Sequence, residues 1–329
     1  MRVIRMWLCC FVFAGITGVM SIFGVNAWGQ GFPSRPVKVI IPYPAGGSAD
    51  TLVRLLGQRL GEVWSQQVIA DNRPGANGII ATDLAAKSPS DGYTLYLGTD
   101  ATVSVNPSLY TNIPYDWNRD FAPISLLATS QQVLVVHPSL PARTVQDLIY
   151  LANEKPGQLN YASMGVGSSP HLGAELFLSL ANVKITHVPY KGSAQSITAL
   201  LGGEVSVFFV GESTAAPFVQ AGKLRAIGTT GKSRSTIFPN IPTIAESGLP
   251  NYEMGIWFAM FAPGATPAPI LRKLHDDIVV ALEVRELRDA LASRGFDATS
   301  SSPDELKVLV QKDTDRWSAL IQRVGIKRQ

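Results

Sequence analysis

The sequence predicts an α/β fold in two lobes, each built from a mostly parallel sheet with helices on its faces. Strand-like and helix-like segments alternate along almost the whole chain, a pattern typical of parallel strands joined by helical crossovers. The chain has 329 residues, more than one ordinary core accommodates, so two lobes are expected. After residue 30 no apolar run is long enough to span a bilayer, which is consistent with a globular mature chain.

The N-terminal residues have the composition of an export signal. Arg2 and Arg5 precede the apolar run "LCCFVFAGITGVMSIFGV", and "VNA" places a small residue just before Trp28. This order predicts a secretory signal peptide over residues 1–27, removed on export to the periplasm. The alternative is a membrane anchor, because the apolar run is just long enough to be one.

Cysteine and charge narrow the class of protein further. Cys9 and Cys10 both lie in the predicted signal, so the mature chain would hold no disulfide and no reactive thiol. Loss of the two signal arginines lowers 28 Lys and Arg to 26, against 25 Asp and Glu. Such a balanced charge gives no basic surface for nucleic acid, and we expect no nucleic-acid partner.

The first predicted strand is "VKVII", a β-branched run bounded by prolines, and the first helix begins at Ser48 with apolar residues at helical spacing. Alternating segments continue the pattern. The predicted later strands are "QQVIADN", "YTLYLGT", "QQVLVVH", "LNYASM", "ITHVPY", "VSVFFV" and "LRAIGTT". The predicted later helices are "GIIATDLAAKS", "TVQDLIYLANEK", "HLGAELFLSL", "SAQSITALLGG", "TAAPFVQAG" and two long ones over Pro269–Arg294 and Pro303–Val324.

No Ser/Gly-rich linker marks a domain boundary. We therefore expect short crossings near residues 125–130 and 225–230. The first lobe would comprise residues 28–127 and 228–329, and the second lobe residues 128–227. An exported two-lobed α/β chain of this length suits a clamshell binding protein with its ligand site between the lobes.

The turn "AGGS" between the first strand and the first helix raises the question of what binds there. Glycine leaves backbone N–H groups accessible, and a helix N-terminus attracts negative charge. Ser48 is the expected N-cap, and Asp50 puts a carboxylate in the first turn. The turn predicts either an anion site or an ordinary strand-to-helix connection.

A second turn repeats this arrangement. In "NYASMGVGSSPHLGAELF" a Gly/Ser-rich turn again separates a strand from a helix, with Ser168 or Ser169 as the expected cap and Pro170 at the first helical position. If the two turns face each other across a cleft, two helix N-termini converge on one anion. The repetition favours binding, although two plain connections remain the alternative.

Other chemistries find little support. "GVGSSP" begins like a dinucleotide loop, but Pro170 stands where the third glycine should be. "AIGTTGKS" resembles a phosphate loop, yet "RSTIFPNIPT" follows it without a helical period. We find no G-x-S-x-G or H-E-x-x-H motif, and the four histidines lack metal-ligand spacing. We therefore expect no catalytic residues, no metal and no cofactor.

Several long motifs in order resemble one family, the Bug-type substrate-binding proteins of tripartite tricarboxylate transporters. They include "RPVKVIIPYPAGGSAD", "NRPGANGIIATDLAAKSPSDGYTLYLGT", "LNYASMGVGSSPHLGAELF", "HVPYKGSAQSITALLGGEVSVFF" and "AGKLRAIGTTGKSR". The resemblance covers essentially the whole mature sequence. It implies a two-lobed periplasmic binding protein (Venus-flytrap) fold and a small carboxylate ligand held largely by main-chain N–H groups.

The resemblance also implies the binding residues, by position in the motifs. Relatives often carry an aspartate where this chain has Val210, and two interpretations of Glu212, two residues on, stay open: it replaces that aspartate as a contact of the ligand's far end, or it does not. In the first lobe the implied contacts are Tyr43, Ala45, Gly46, Gly47, Ser48, Asp50 and Thr99. In the second lobe they are Ser163, Gly165, Gly167, Ser168, Ser169, His171, Tyr190, Lys191 and Gly192.

The resemblance implies a monomeric receptor that is not an enzyme and that delivers its ligand to membrane transporter subunits. Two alternatives stay open: a ligand-sensing protein that signals to a partner, and an enzyme on the same fold. Tyr43, Tyr190 and Trp257 would suit an aromatic ligand, but each is equally explained by core packing. The sequence does not identify the carboxylate.

Overall fold

A computed structural model describes residues 31–328. The predicted signal peptide, residues 1–27, lies outside the described residues. Residues 31–34 form no helix or strand. Residues 35–328 carry ten strands and eleven α-helices. The strands are β1 (Val37–Ile41), β2 (Val68–Asn72), β3 (Thr94–Thr99), β4 (Phe121–Val136), β5 (Asn160–Ser163), β6 (Thr186–Pro189), β7 (Val207–Gly211), β8 (Arg225–Thr229), β9 (Gly255–Pro263) and β10 (Phe296–Ala298). The helices are α1 (Ser48–Trp64), α2 (Ile79–Ala86), α3 (Asn106–Leu109), α4 (Trp117–Asp120), α5 (Val145–Glu154), α6 (Ser169–Ala181), α7 (Ser193–Leu201), α8 (Glu212–Gln220), α9 (Ala268–Glu283), α10 (Arg285–Ala292) and α11 (Pro303–Val324).

The strands form two sheets that share β4. In the first-lobe sheet, β1 lies between β2 and β3 with parallel pairing, and β9 joins β3 to β4 with antiparallel pairing. In the second-lobe sheet, β5 pairs in parallel with β6 and β7, while β7 and β8 run antiparallel to β4. The fold is therefore mixed α/β in two lobes.

The long strand β4 changes partner part-way along its length. Its residues up to Gln131 pair with β9, and those from Gln132 onward pair with β7. This change falls beside the crossing expected near residues 125–130. The division into residues 28–127, 128–227 and 228–329 stays a prediction.

The structure differs from two sequence-based expectations about elements. The single helix expected over residues 269–294 is wrong: α9 and α10 are separated at Val284, whose φ of −66° and ψ of 123° are extended. Strand β9 was not predicted at all, because "GIWFAMFAP" is almost continuously apolar and has no alternation that separates strand from buried helix. Strand β9 belongs to the core of the first lobe, and helices α9 and α10 pack beside that core.

Buried apolar side chains hold the layers together. One cluster surrounds Ile40, Tyr96 and Phe261 in the first lobe, and a second surrounds Val133 and Phe208 in the second lobe. A third cluster joins side chains of α6, β7 and α11, including the fully buried Phe177, Phe209 and Trp317. Burial of each such aromatic ring stabilises the folded state by about 2–3 kcal/mol. This cluster therefore anchors the C-terminal helix beside α6. Among the described residues no helix is long and apolar enough to cross a membrane.

Candidate functional site

The first turn, residues 43–48, connects β1 to α1 and is largely exposed. Ala45, Gly46, Gly47 and Ser48 are all exposed. The expectation that Ser48 caps the helix is wrong: Gly47 is the N-cap, and no side chain caps α1. The first N–H groups of a helix have no intrahelical acceptor. In this turn those of Gly47 and Ser48 donate to no acceptor in the described part of the chain.

Asp50 has a different position from the one expected of a ligand contact. Its side chain is buried, and its Oδ2 accepts hydrogen bonds from the Gly46 N–H and from Arg54 Nε, each at 2.9 Å. Burial opposes ionisation, but these bonds hold the pKa of Asp50 below its usual value. Asp50 thus fixes the shape of the first turn, and the Gly46 N–H is occupied by this internal hydrogen bond.

Gly47 is a glycine whose backbone conformation does not require glycine. Its φ of −80° and ψ of 175° are open to any residue. A Cβ at this position would meet only the Pro44 carbonyl oxygen, at 3.5 Å. Gly46, in contrast, has a φ of +80° and needs glycine for its backbone. Gly47 therefore leaves open space directly over the N-terminus of α1.

The second turn, residues 163–169, connects β5 to α6 and is mostly buried. Its centre is Ser163, whose Oγ accepts from the Gly165 N–H at 3.0 Å and lies 2.6 Å from His187 Nε2. Its carbonyl accepts from the Tyr190 N–H and from Ser196 Oγ. The Ser163–His187 contact has the atoms of a nucleophile and a base, but Ser163 is fully buried and holds the turn in place.

Internal hydrogen bonds take up several N–H groups that the sequence assigned to the ligand. The Gly165, Gly167 and Ser168 N–H groups donate to Ser163 Oγ, to His171 Nδ1 and to the Gly165 carbonyl. Ser168 occupies the N-cap position of α6, with Ser169 as the first helical residue, but no side chain caps this helix. The Ser169 N–H accordingly remains at the N-terminus of α6 without an acceptor in the described part of the chain.

Aromatic and ionisable side chains pack beneath the second turn. The rings of His171 and His187 lie 4.3 Å apart, and the Tyr161 ring stacks on His187 at 4.9 Å. Burial, and then His187, lowers the pKa of His171 to about 3, so this ring is neutral at physiological pH. Neutral His171 can accept the Gly167 N–H, which makes it a support of the turn.

A short chain of hydrogen bonds links the two turns. Tyr43 OH lies 2.7 Å from Thr99 Oγ1, at the end of β3. The next residue, Asp100, accepts a hydrogen bond through Oδ2 from Ser169 Oγ, at 3.2 Å. The backbone of Gly167 also lies against Leu109, which follows β3 in the first lobe. These contacts place the carboxyl ends of β1, β3 and β5 around one region between the lobes.

Asp100 is the most unusual ionisable group in this region. It is 1% exposed, and its Oδ1 accepts no hydrogen bond within the described residues. Burial, with a contribution from the nearby Asp313 carboxylate, raises the pKa of Asp100 to about 8. Asp100 is thus mainly a neutral acid at pH 7.

This burial predicts a pH-dependent effect of Asp100→Asn on stability. The folded protein keeps Asp100 protonated up to about pH 8, whereas the unfolded chain releases that proton near 3.8. The folded state binds more protons between these values, so the wild type should lose stability relative to Asp100→Asn as the pH rises. The upper limit is about 1.4 kcal/mol per pH unit.

Urea unfolding of both proteins at several pH values measures this difference. Asp276→Asn, whose parent side chain is 73% exposed, is the control and should parallel the wild type. A constant difference between wild type and Asp100→Asn over this pH range would contradict the burial of an uncompensated carboxyl.

The remaining predicted residues divide into two groups. Tyr190 and Gly192 lie beside the second turn through their contacts with Ser163 and Ser196, while Lys191 is exposed and its N–H donates to Gln195. Glu212 is joined to neither turn: its Oε2 accepts from Ser235 Oγ at 2.7 Å. Burial raises the pKa of Glu212 to about 7. Val210 is buried in the second-lobe core.

Sequence reasoning missed several residues that shape the site. Asp100 directly follows the predicted strand "YTLYLGT", and a polar residue at the carboxyl end of a strand is a signal by which it could have been found. His187 and Ser196 gave no such signal, because only the folded chain brings them to Ser163. Trp257 is 5% exposed and its Nε1 donates to Asp313. Of the two interpretations offered for it, a contact to an aromatic ligand or core packing, core packing fits this position.

Comparison with solved structures defines the class of protein. An R. palustris protein solved with adipate superimposes with a TM-score of 0.84 at 35% identity, over 91% of this chain and all of that one. The periplasmic binding protein BugD gives 0.81 at 28% identity, over 91% of this chain and 100% of its own. MatC from Rhodopseudomonas palustris, solved with malate, gives 0.79 at 30% identity, over 88% and 100%. The fold is that of two-lobed periplasmic binding proteins.

Sequence comparison then gives the family. The model of the tripartite tricarboxylate transporter family receptor matches residues 52–326. BugT of Bordetella pertussis is 33% identical over 99% of both chains. The chain therefore belongs to this receptor family, which confirms the resemblance found in the sequence. It is a family of solute-binding receptors.

Proposed function

We propose that this protein captures a small carboxylate between its lobes in the periplasm and delivers it to a membrane transporter. The observation that carries the proposal is the pair of uncapped helix N-termini, at α1 and α6, linked through Tyr43, Thr99, Asp100 and Ser169. A helix N-terminus favours an anion by about 0.3–1 kcal/mol, and more when partly buried.

The two turns make unequal contributions to this proposed site. The first turn offers the N–H groups of Gly47 and Ser48 in an exposed position. In the second turn the N–H groups of Gly165, Gly167 and Ser168 already donate hydrogen bonds to acceptors within the protein. The ligand carboxylate accordingly rests on the first turn, and the second turn closes over it with the N-terminus of α6. Bonds of this kind, between N–H groups and a carboxylate, are worth about 1.5–3 kcal/mol each.

Relatives with known ligands support the choice of a carboxylate. Adipate occupies one similar structure and malate another. Both are small dicarboxylates, and both could present one carboxylate to a helix N-terminus. Which carboxylate this chain binds is the question that the experiment answers.

A thermal-shift screen of residues 28–329 tests the proposed binding. The panel contains dicarboxylates, tricarboxylates, acidic amino acids and aromatic acids, with ATP and NAD as controls. A ligand at about a hundred times its Kd stabilises the folded state by about 2.7 kcal/mol, which raises Tm by a few degrees. A shift with one carboxylate class and none with ATP or NAD supports the proposal, and a shift with nucleotides alone contradicts it.

Export and delivery need separate tests. The proposal places residues 1–27 in a cleaved signal peptide, so N-terminal sequencing of the periplasmic protein should begin at Trp28. A full-length chain in the membrane fraction would contradict export by cleavage. Delivery predicts that cells lacking this protein lose uptake of the carboxylate found in the screen.

A further inference from the structure

Asp100 has a carboxyl oxygen that the protein itself does not use. Oδ2 is bonded to Ser169, the first residue of the thirteen-residue helix α6, whereas Oδ1 has no partner among the described residues. The side chain is 99% buried, which makes an unused carboxyl oxygen energetically costly. This orphaned oxygen lies where the two turns meet, one residue after the Thr99–Tyr43 contact.

The charges around Asp100 are predominantly negative or neutral. Helix α11 presents Asp313 and Arg316, but Arg316 lies 3.9 Å from Asp313 and makes no ion pair with Asp100. Asp313 already accepts from the Nε1 groups of Trp257 and Trp317. On the other sides Asp100 meets the hydroxyls of Tyr43 and Ser169 and the backbone of Ala101.

Comparison with Asp50 shows why Asp100 is the distinctive group. Both aspartates are buried next to the turns, and each has one oxygen without a partner. The Asp50 carboxylate is balanced by Arg54 and by the Gly46 N–H. Within the described part of the chain no cation contacts Asp100, so a ligand group that hydrogen-bonds to Oδ1, or that brings a positive charge to it, gains more there.

We propose that Asp100 selects carboxylates that carry an ammonium or a hydroxyl group near the bound carboxylate: an ammonium group takes the place of the acid proton at Oδ1, and a hydroxyl group forms a hydrogen bond with the protonated oxygen. The carboxylate lies at the first turn, and the ammonium or hydroxyl group reaches Asp100 Oδ1 when the lobes close. This assignment rests on the proposed function and adds to it the chemistry of the second contact. Plain dicarboxylates of the same length would leave Oδ1 unpaired and bind more weakly.

Matched ligands test this selectivity in the wild-type protein. Calorimetry compares succinate, malate and aspartate, then glutarate, 2-hydroxyglutarate and glutamate, then adipate and 2-aminoadipate. Within the series that binds, a donor-bearing member should exceed its plain counterpart by about ten- to hundredfold. Equal or tighter binding of the plain dicarboxylate overturns the proposal, while the carboxylate-binding function stands. Absence of binding by every carboxylate overturns both.

Two variants show whether Asp100 is responsible. Asp100→Leu removes the carboxyl group, so the advantage of both ammonium and hydroxyl ligands should disappear while affinity for the plain dicarboxylate is kept. Asp100→Asn keeps a neutral hydrogen-bonding group that cannot ionise, so it should reduce the advantage of the ammonium ligand more than that of the hydroxyl ligand. Retention of the full advantage in Asp100→Leu overturns the proposal. Asp276→Asn, whose parent side chain is 73% exposed, is the control and should keep the preference.

A proton count separates the two donors and needs no variant. At pH 7 the acid is mainly protonated before binding, because burial raises its pKa to about 8. An ammonium group placed against Asp100 ionises it, so calorimetry in buffers of different ionisation enthalpy should show release of almost one proton. A hydroxyl ligand should release none. An ammonium ligand that is preferred yet releases no proton contradicts contact with Asp100.

Discussion

Gly47→Val is expected to fold normally and to lose most of its affinity for the carboxylate. The backbone of Gly47 has a φ of −80°, and the space around a Cβ there is open except for the Pro44 oxygen at 3.5 Å. A branched side chain therefore costs the fold little. It would cover the N–H groups over α1, and each lost bond to a carboxylate weakens binding by about ten- to hundredfold.

Calorimetry with the best ligand of the thermal-shift screen measures this loss, and circular dichroism checks the fold. Gly47→Ala is the graded control, since its single methyl group fits at ordinary contact distance and should reduce affinity less. Unchanged affinity in a folded Gly47→Val protein would remove the first turn from the binding site.

Gly167→Ala is expected to destabilise the protein strongly, for reasons opposite to those at Gly47. Gly167 has a φ of +79°, and its Cβ would overlap the buried Leu109 Cδ2. The left-handed backbone costs about 1–2 kcal/mol for alanine, and overpacking adds about 1–3 kcal/mol. Chemical denaturation should therefore show a loss of about 2–5 kcal/mol in the free energy of unfolding.

The double variant Gly167→Ala, Leu109→Ala separates the two causes. Removal of the Leu109 side chain relieves the overlap but leaves the backbone strain and adds a cavity, so the two effects should be less than additive. Strict additivity would mean that the second turn does not pack on Leu109.

Local patterns in the sequence predicted much of the fold. The β-branched "VKVII" became β1, and the helices expected over "TVQDLIYLANEK" and Pro303–Val324 are α5 and α11. Pairing between distant segments was beyond local reasoning. Strand β9 lies between β3 and β4, and this position depends on contacts over more than a hundred residues.

The site was predictable to the extent that it follows from strand ends and glycine turns. Both turns lie where the sequence placed them, and the α1 and α6 N-termini are uncapped. Hydrogen-bond partners could not be foreseen, since they depend on tertiary distances. Asp50 accepts a hydrogen bond from the Gly46 N–H, and Glu212 accepts one from Ser235 Oγ. Each carboxyl group therefore supports the protein segment around it. The roles of the individual binding residues stay predictions.

Recognition through the backbone suits a receptor that must release its ligand. Lys191 is the lone cation among the residues proposed to line the site, and it is exposed, with its backbone N–H bonded to Gln195. Helix N-termini bind a carboxylate without a full opposing charge. In the proposed binding mode, lobe opening would suffice to free the ligand, because no buried ion pair to the first carboxylate would have to be broken.

The most direct test of this account is a crystal structure of the mature protein with the carboxylate that gives the largest thermal shift. The account predicts a ligand carboxylate within hydrogen-bond distance of the Gly47 and Ser48 N–H groups, between the first turn and the N-terminus of α6. A carboxylate bound elsewhere, with both turns unchanged and without a ligand, would contradict it.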